Sequence, residues 1–156
     1  MQVRFSARED IEAPIDYVYG KITDFGGFER SAMRRGIDVE RKDSLAGVEV
    51  GANWHVGFKF RGKSRAADLT LQKVDHPNGI DIGFTSGGVE GSTNIELVPL
   101  SPARTRLIIR LDMAPRTLAA RLLLQSLKLA KNNLTQKFKT RIADFAEDIE
   151  TSYTGV

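Results

Sequence analysis

The sequence contains no cysteine, which excludes disulfides, thiolate metal sites and a cysteine nucleophile and suits a reducing cytoplasm. Its two histidines, His55 and His76, share no ligand spacing, so neither a zinc site nor any other cofactor is expected. A glycine-rich phosphate loop is missing too: Gly87, Gly88 and Gly91 fall in a hairpin pattern, not between a strand and a helix. There is no G-x-S-x-G nucleophile elbow. No uninterrupted apolar run approaches the length of a membrane span. Residues 1–12 alternate and carry charges throughout, unlike the apolar centre of a secretory signal. These absences lead to the expectation of a cytoplasmic protein.

What is present is ordinary in amount and uneven in arrangement. Hydrophobic residues make up 41% and charged residues 28% of 156 residues, enough for one domain with one core. No internal repeat or linker interrupts the chain, so a single domain over residues 1–156 is expected. The net charge is only +3, yet residues 104–141 hold ten basic side chains (Arg104, Arg106, Arg110, Arg116, Arg121, Lys128, Lys131, Lys137, Lys139 and Arg141) against one acid, Asp112. The tail then carries Asp144, Glu147, Asp148 and Glu150. Such polarity either marks a solvated face or steers an anionic partner.

Period-two alternation over residues 2–12 sets Val3, Phe5, Ala7 and Ile11 against Arg4, Ser6, Arg8 and Asp10, the pattern of a half-buried strand. Ala13-Pro14 ends it. Pro14 suits a helix start, and Ile15, Val18 and Ile22 follow at helical spacing. Gly26-Gly27 reads as a break before a second short helix over Phe28 to Arg35. Six further strands are expected: Ile37–Lys42, Asn53–Phe60, Ser64–Val74, one carrying Ile80, Ile82 and Phe84, Val89–Val98, and one over Thr105–Met113. Tight turns join most of them, so neighbours in sequence are antiparallel neighbours in space. Glycines within strands, Gly57, Gly83 and Gly91, point to bulges or strong bending. After Pro115 the pattern is helical to about Tyr153, roughly 35 residues or about 50 Å.

A first strand ending at Ile11-Glu12-Ala13-Pro14, a Thr23-Asp24-Phe25 helix exit, a meander and a long terminal helix together resemble the START-like or SRPBCC superfamily, which includes Bet v 1-like proteins and bacterial polyketide cyclase/dehydrase-like proteins. The resemblance covers essentially the whole chain and rests on the order of elements. It implies an α+β helix-grip fold: a curved seven-stranded antiparallel sheet wrapped around a long C-terminal helix, with two short helices after the first strand. It also implies a cavity between sheet and helix for lipids, sterols, polyketides or other apolar molecules, and only some members are enzymes. Many members have Trp and Pro after the first helix, where this chain reads Gly26-Gly27-Phe28-Glu29-Arg30, so no catalytic residue carries over.

On this reading the cavity wall comprises Trp54, Val56, Phe58, Phe60, Leu69, Leu71, Ile82, Phe84, Ile95, Leu107 and Ile109 from the sheet and Leu123, Leu127 and Leu134 from the helix. With Leu127 at the centre of one helix face, Ala120, Leu123, Leu124, Leu134, Phe138, Ile142, Phe145 and Ile149 fall within about 60° of it. Lys131 and Arg141 fall within about 40° of the same centre. Either they snorkel to the edge, or one anchors the acidic head of a ligand, or one pairs with Glu9, which interrupts the apolar face of the first strand and would need a cation if buried. Leu118, Leu122 and Leu129, flanked by Arg121 and Lys128, give the early helix a second apolar face. The short helices are the expected cover for it; a homodimer contact or an anionic membrane surface are the alternatives.

The leading functional reading is a binding or transport module for a small hydrophobic molecule. A cyclase- or dehydratase-like enzyme would need polar groups converging in the pocket, and only Glu9, Lys131 and Arg41 present themselves. A protein- or membrane-interaction domain using the basic, leucine-rich helix is a third reading. Nucleic-acid binding is disfavoured, because the basic residues lack interleaved exposed aromatics and the tail is acidic.

Overall fold

Alternation along the first strand survives in three dimensions. In β1 (Val3–Ile11), Val3, Phe5, Ala7 and Ile11 are buried while Arg4, Ser6, Arg8 and Asp10 are exposed. The computed structural model describes residues 1–154. Six more strands follow: β2 (Asp38–Arg41), β3 (Asn53–Phe60), β4 (Lys63–Asp75), β5 (Gly79–Ser86), β6 (Val89–Ser101) and β7 (Arg104–Pro115). They form one curved antiparallel sheet in the order β1-β7-β6-β5-β4-β3-β2. β2 to β7 make a meander, and β1 closes it by pairing with β7 from Val3↔Met113 to Ile11↔Thr105. The helices are α1 (Ile15–Ile22), α2 (Phe25–Arg34), α3 (Leu118–Leu129) and α4 (Lys131–Ser152). This is the α+β architecture expected from the order of elements.

Three local features differ from expectation. The terminal helix is not continuous: Ala130, with φ −98° and ψ 15°, separates α3 from α4. No proline or glycine lies there, so the residue types do not announce the bend. Packing accounts for it. Ala120, Leu124 and Leu127 of α3 join one buried cluster with Val3, Phe5 and Val89, whereas Ala146 and Ile149 of α4 join another. A straight rod would not serve both on a curved sheet.

Next, Gly26-Gly27 does not break a helix but lies in the first turn of α2. Asp24 caps that turn by accepting a hydrogen bond from the Gly27 N–H (3.1 Å). Finally, the ladder runs in register through Gly57, Gly83 and Gly91; the irregularities fall between Leu71 and Lys73 and between Pro99 and Ser101. Gly91 is required for a different reason. A Cβ there would strike the ring of its cross-strand partner Phe84 and the Asp112 carbonyl.

The core is divided. The larger cluster gathers Ile11, Val18, Tyr19, Ile22, Trp54, Leu71, Ile80, Leu97, Leu107 and Ile109 under α1 and the end of α4. The smaller one lies under α3, and Phe138 of α4 packs against both. The single buried polar side chain assigned to the described core, Thr105, donates from Oγ1 to the Ala13 carbonyl at 2.8 Å and ties β7 to the start of α1. Truncating a side chain at the centre of the larger cluster leaves a cavity, so Leu107→Ala is expected to lower stability by ~2–5 kcal/mol. Leu118→Ala, on the exposed side of α3, is expected to change it by less than about 0.5 kcal/mol. Urea denaturation of the two variants checks this; equal losses would contradict the burial of Leu107 and the exposure of Leu118.

Candidate functional site: an apolar groove on the concave face

On β3, Trp54, Val56, Phe58 and Phe60 share one face, because successive side chains alternate. Cross-strand pairing sets Leu69 beside Trp54 and Phe84, and Ala67 beside Val56. Ile82 lies two positions from Phe84 on the same face of β5. Among these, Trp54 and Ala67 are buried, but Val56, Phe58, Phe60, Leu69, Ile82 and Phe84 are only half-buried. Inward-pointing apolar side chains that stay half-exposed have open space in front of them. α4 packs along β1, at one side of the sheet, and leaves this middle region to α2 and α3.

Two lobes of open space occupy the region. One, of about 260 Å³, lies between α2 and the sheet and is lined by Trp54, Val56, Leu69, Ile82 and Val39 with Phe25, Phe28, Glu29 and Ala32. The other, of about 640 Å³, lies between α3 and the sheet. Phe58, Phe60, Ala67, Phe84 and Met113 form its floor, Leu123, Leu124 and Leu127 its helix wall. The residues lining the two lobes are neighbours on one face: Val56 and Phe58 on β3, Leu69 and Ala67 on β4, Ile82 and Phe84 on β5. Over the larger lobe, the β3–β4 turn reaches α3, where Arg61 Nη1 donates to Ser126 Oγ.

Leu71, Leu107 and Ile109, expected to line the cavity, are instead packed in the larger core cluster, with Ile95 and the smaller-cluster neighbour Leu134 half-buried against side chains. Alternation identifies their face; it does not say how far along the strand α1 and α4 seal it. The α2 residues were not foreseen, although Phe25, Phe28, Glu29 and Ala32 follow the i, i+3, i+4, i+7 spacing of one helix face. Reading Gly26-Gly27 as a break hid that stripe.

Of the alternatives left open for the polar groups, exposure at the edge describes Lys131 and Arg141, and the Glu9 pairing does not form. Glu9 is half-buried on an edge strand and opens onto an outer recess shared with Arg110, Lys139 and Thr140, so the edge gives it access to water and it does not meet Lys131 or Arg141. Lys131 is exposed. Arg141, also exposed, faces a recess of about 650 Å³ with Arg35, Lys59, Arg65 and Asp38. That recess shares Phe58, Ser64 and Arg65 with the larger lobe, so the mouth of the groove carries four cations against one carboxylate.

At the α2 end, the Trp54 indole N–H donates to Glu29 Oε2 at 3.3 Å, and the Arg41 guanidinium lies 4.9 Å from the Trp54 ring. Arg41 Nε donates to Asp43 Oδ2 at 2.7 Å, while its Nη2 is buried and has no hydrogen-bond partner among the described residues. Asp43 also accepts from the backbone N–H groups of Asn53 and Leu45. The Arg41 hydrogen bond above all, opposed by burial and reinforced by these two N–H groups, holds the Asp43 carboxyl well below the usual carboxylate range. No cluster of His, Asp or Glu suited to a metal ion occurs among the described residues, and no helix there is long and apolar enough to cross a membrane. On the outer face, His55 Nδ1 and Asp68 Oδ1 lie 2.7 Å apart.

The fold has counterparts among solved structures. The Zhui aromatase/cyclase from a Streptomyces species superposes with a TM-score of 0.67 at 15% identity, covering 96% of this chain and 94% of that one. Norcoclaurine synthase from Thalictrum flavum, solved in complex with dopamine and hydroxybenzaldehyde, gives 0.68 at 12% identity over 99% and 90%. A START superfamily protein from Mycobacterium smegmatis gives 0.57 at 14% over 86% and 95%. The fold is the START-like helix grip. No protein-family model matches the sequence, and no curated protein matches it significantly. At these identities the helix-grip likeness establishes architecture, and the chemistry must come from the groove itself.

Because the folded Asp43 carboxyl is depressed, its ionisation contributes stability that is fully present above the ordinary aspartate value of 3.8 and is lost as pH falls through the lower folded value. Thermal melts of the parent protein and Asp43→Asn are therefore expected to differ at neutral pH and to converge as the pH drops below about 4. A difference that stays constant into strong acid would count against the ionised carboxylate as the feature that organises this loop.

Proposed function

We propose that the protein binds a small amphipathic molecule, a fatty acid or similar lipid, with its apolar chain in the groove and its anionic head at the basic mouth. The carrying observation is the set of half-buried aromatic and aliphatic side chains facing open space on the concave sheet. Water in contact with such a surface is displaced favourably by an apolar guest, by roughly 25 cal/mol per Å² covered. The larger lobe is within the volume range of small-molecule sites, about 300–1,000 Å³.

The head group follows from charge. Arg65 and Arg141, with Arg35 and Lys59 beside them, stand at the mouth with Asp38 the lone carboxylate, and Lys63 adds to the rim. Arg65 is held in place by donating from Nε to the Phe60 carbonyl at 3.2 Å. A guanidinium so placed offers its remaining N–H groups to a carboxylate or phosphate. The neighbours bear on this reading only as examples of what the fold accommodates: one was solved with dopamine and hydroxybenzaldehyde.

Trp54 is the one tryptophan in the chain and lines the smaller lobe, so its emission reports on occupancy. Titration with a long-chain fatty acid is expected to shift Trp54 fluorescence saturably, and the alcohol of equal chain length is expected to bind at least about five-fold more weakly, the loss of one charge-assisted contact. Arg65→Gln combined with Arg141→Gln is expected to reduce the acid to the level of the alcohol. If neither molecule perturbs Trp54 and calorimetry shows no binding heat, the groove is not a lipid site.

A further inference from the structure

The leucines on the far side of α3 have no cover. Leu118, Leu122 and Leu129 are 73%, 60% and 92% exposed. Stability does not explain them, because α3 is anchored by its other face through Ala120, Leu124 and Leu127. At 100° per residue the three fall within about 40° of one another, a single stripe along the helix. Arg121 and Lys128 border the stripe on one side. On the other stands Arg61, held to Ser126.

The surrounding charge selects the partner. The basic segment of residues 104–141 is of two kinds. Its first four members are neutralised on the sheet: Arg104 by Asp10 and Glu12, Arg106 by Asp10, Arg110 by Glu96 and Arg116 by Glu90. From Arg121 onward, Lys128, Lys131, Lys137, Lys139 and Arg141 pair with no carboxylate among the described residues, and no acid occurs between Asp112 and Asp144. Leucines between uncompensated cations match an anionic lipid surface. Apolar side chains enter the acyl boundary while lysine and arginine meet phosphates. A second copy of the chain would bring the same cations together, which disfavours a symmetric contact through this face.

We infer that α3 and the tip of the β3–β4 turn form an interfacial docking surface for an anionic bilayer. The placement matters because the opposite side of the same helix, through Leu123, Leu124 and Leu127, walls the larger lobe. Docking sets the groove against the membrane, so the bilayer is the source or destination of the ligand. This deepens the ligand-binding reading and relies on it for its purpose; the docking itself rests on α3 and the β3–β4 turn alone.

The test is co-sedimentation with vesicles of pure phosphatidylcholine and of equal parts phosphatidylcholine and phosphatidylglycerol. Binding is expected to the anionic vesicles alone, and to fall when salt is raised to about 0.5 M. Arg121→Gln with Lys128→Gln is expected to weaken it about twenty-five-fold, from about five-fold per cation. Leu122→Ser with Leu129→Ser is expected to weaken it comparably while leaving the thermal melt unchanged. No binding at low salt, equal binding to both vesicles, or indifference to both double variants would each overturn the inference. So would a dimer in sedimentation velocity that the leucine variants convert to monomer, since a second copy would then be the occupant. The Trp54 titration with free fatty acid, run without vesicles, keeps the two readings apart: its failure removes the ligand and leaves docking standing, and the reverse result removes docking alone.

Discussion

The curvature of the sheet governs everything else in this molecule. A long amphipathic segment has to bury its apolar face against a concave surface that it cannot touch everywhere at once. The chain resolves this by bending at Ala130, and α4 follows the β1 side while α3 crosses over β7. The buried side chains consequently form two clusters and not one. Between them the inner faces of β3, β4 and β5 carry side chains that point inward and stay half-buried, covered only in part by α2 and α3. The groove is thus a consequence of how the core is divided, and it needs no special residue to hold it open.

Such an arrangement costs stability, because half-covered aromatic surface forgoes burial free energy that a filled core would gain. The structure shows where the compensation comes from. The larger cluster is densely closed by α1, with Ile11, Val18, Leu71 and Leu107 fully inaccessible. Carboxylate–guanidinium pairs stitch the outer face of β1 to β7 through Arg4–Asp112 and Arg106–Asp10, although exposed pairs of this kind contribute little individually. At the β2 edge, Arg41 and Asp43 fix the loop that leads into Trp54. The groove is therefore flanked by rigid elements on both sides while its own walls remain under-packed.

Much of this was legible in the sequence because strand alternation is a local signal. β3 is predicted to the residue, and the order of elements suffices to place a helix across the sheet. What stayed hidden depends on distant partners. The bend at Ala130 has no proline or glycine beside it and is imposed by packing. Leu71, Leu107 and Ile109 share their face with Val56 and Phe84, and only the position of α1 and the end of α4 decides which are sealed and which are open. The α2 wall was within reach, since its four residues carry a helical stripe. A glycine pair overrode it, yet the missing Cβ of Gly27 is what allows the Asp24 carboxylate to sit close enough to cap the turn.

Whether the groove does chemistry turns on how its polar atoms are already engaged. Catalysis needs groups free to act on a reacting atom, positioned together in the pocket. Glu29 receives the Trp54 indole N–H, and Arg41 spends its Nε on Asp43, which is in turn held by two backbone amides. These are the contacts of a scaffold that orients an aromatic wall. Glu9, the other carboxylate on the inner side of the sheet, opens away from the groove onto an outer recess. Uncommitted cations stand at the mouth, on α3 and along the exposed side of α4. On the proposed binding reading these cations meet the anionic head, and specificity then falls on the shape of the two apolar lobes and the distance between Trp54 and Arg65.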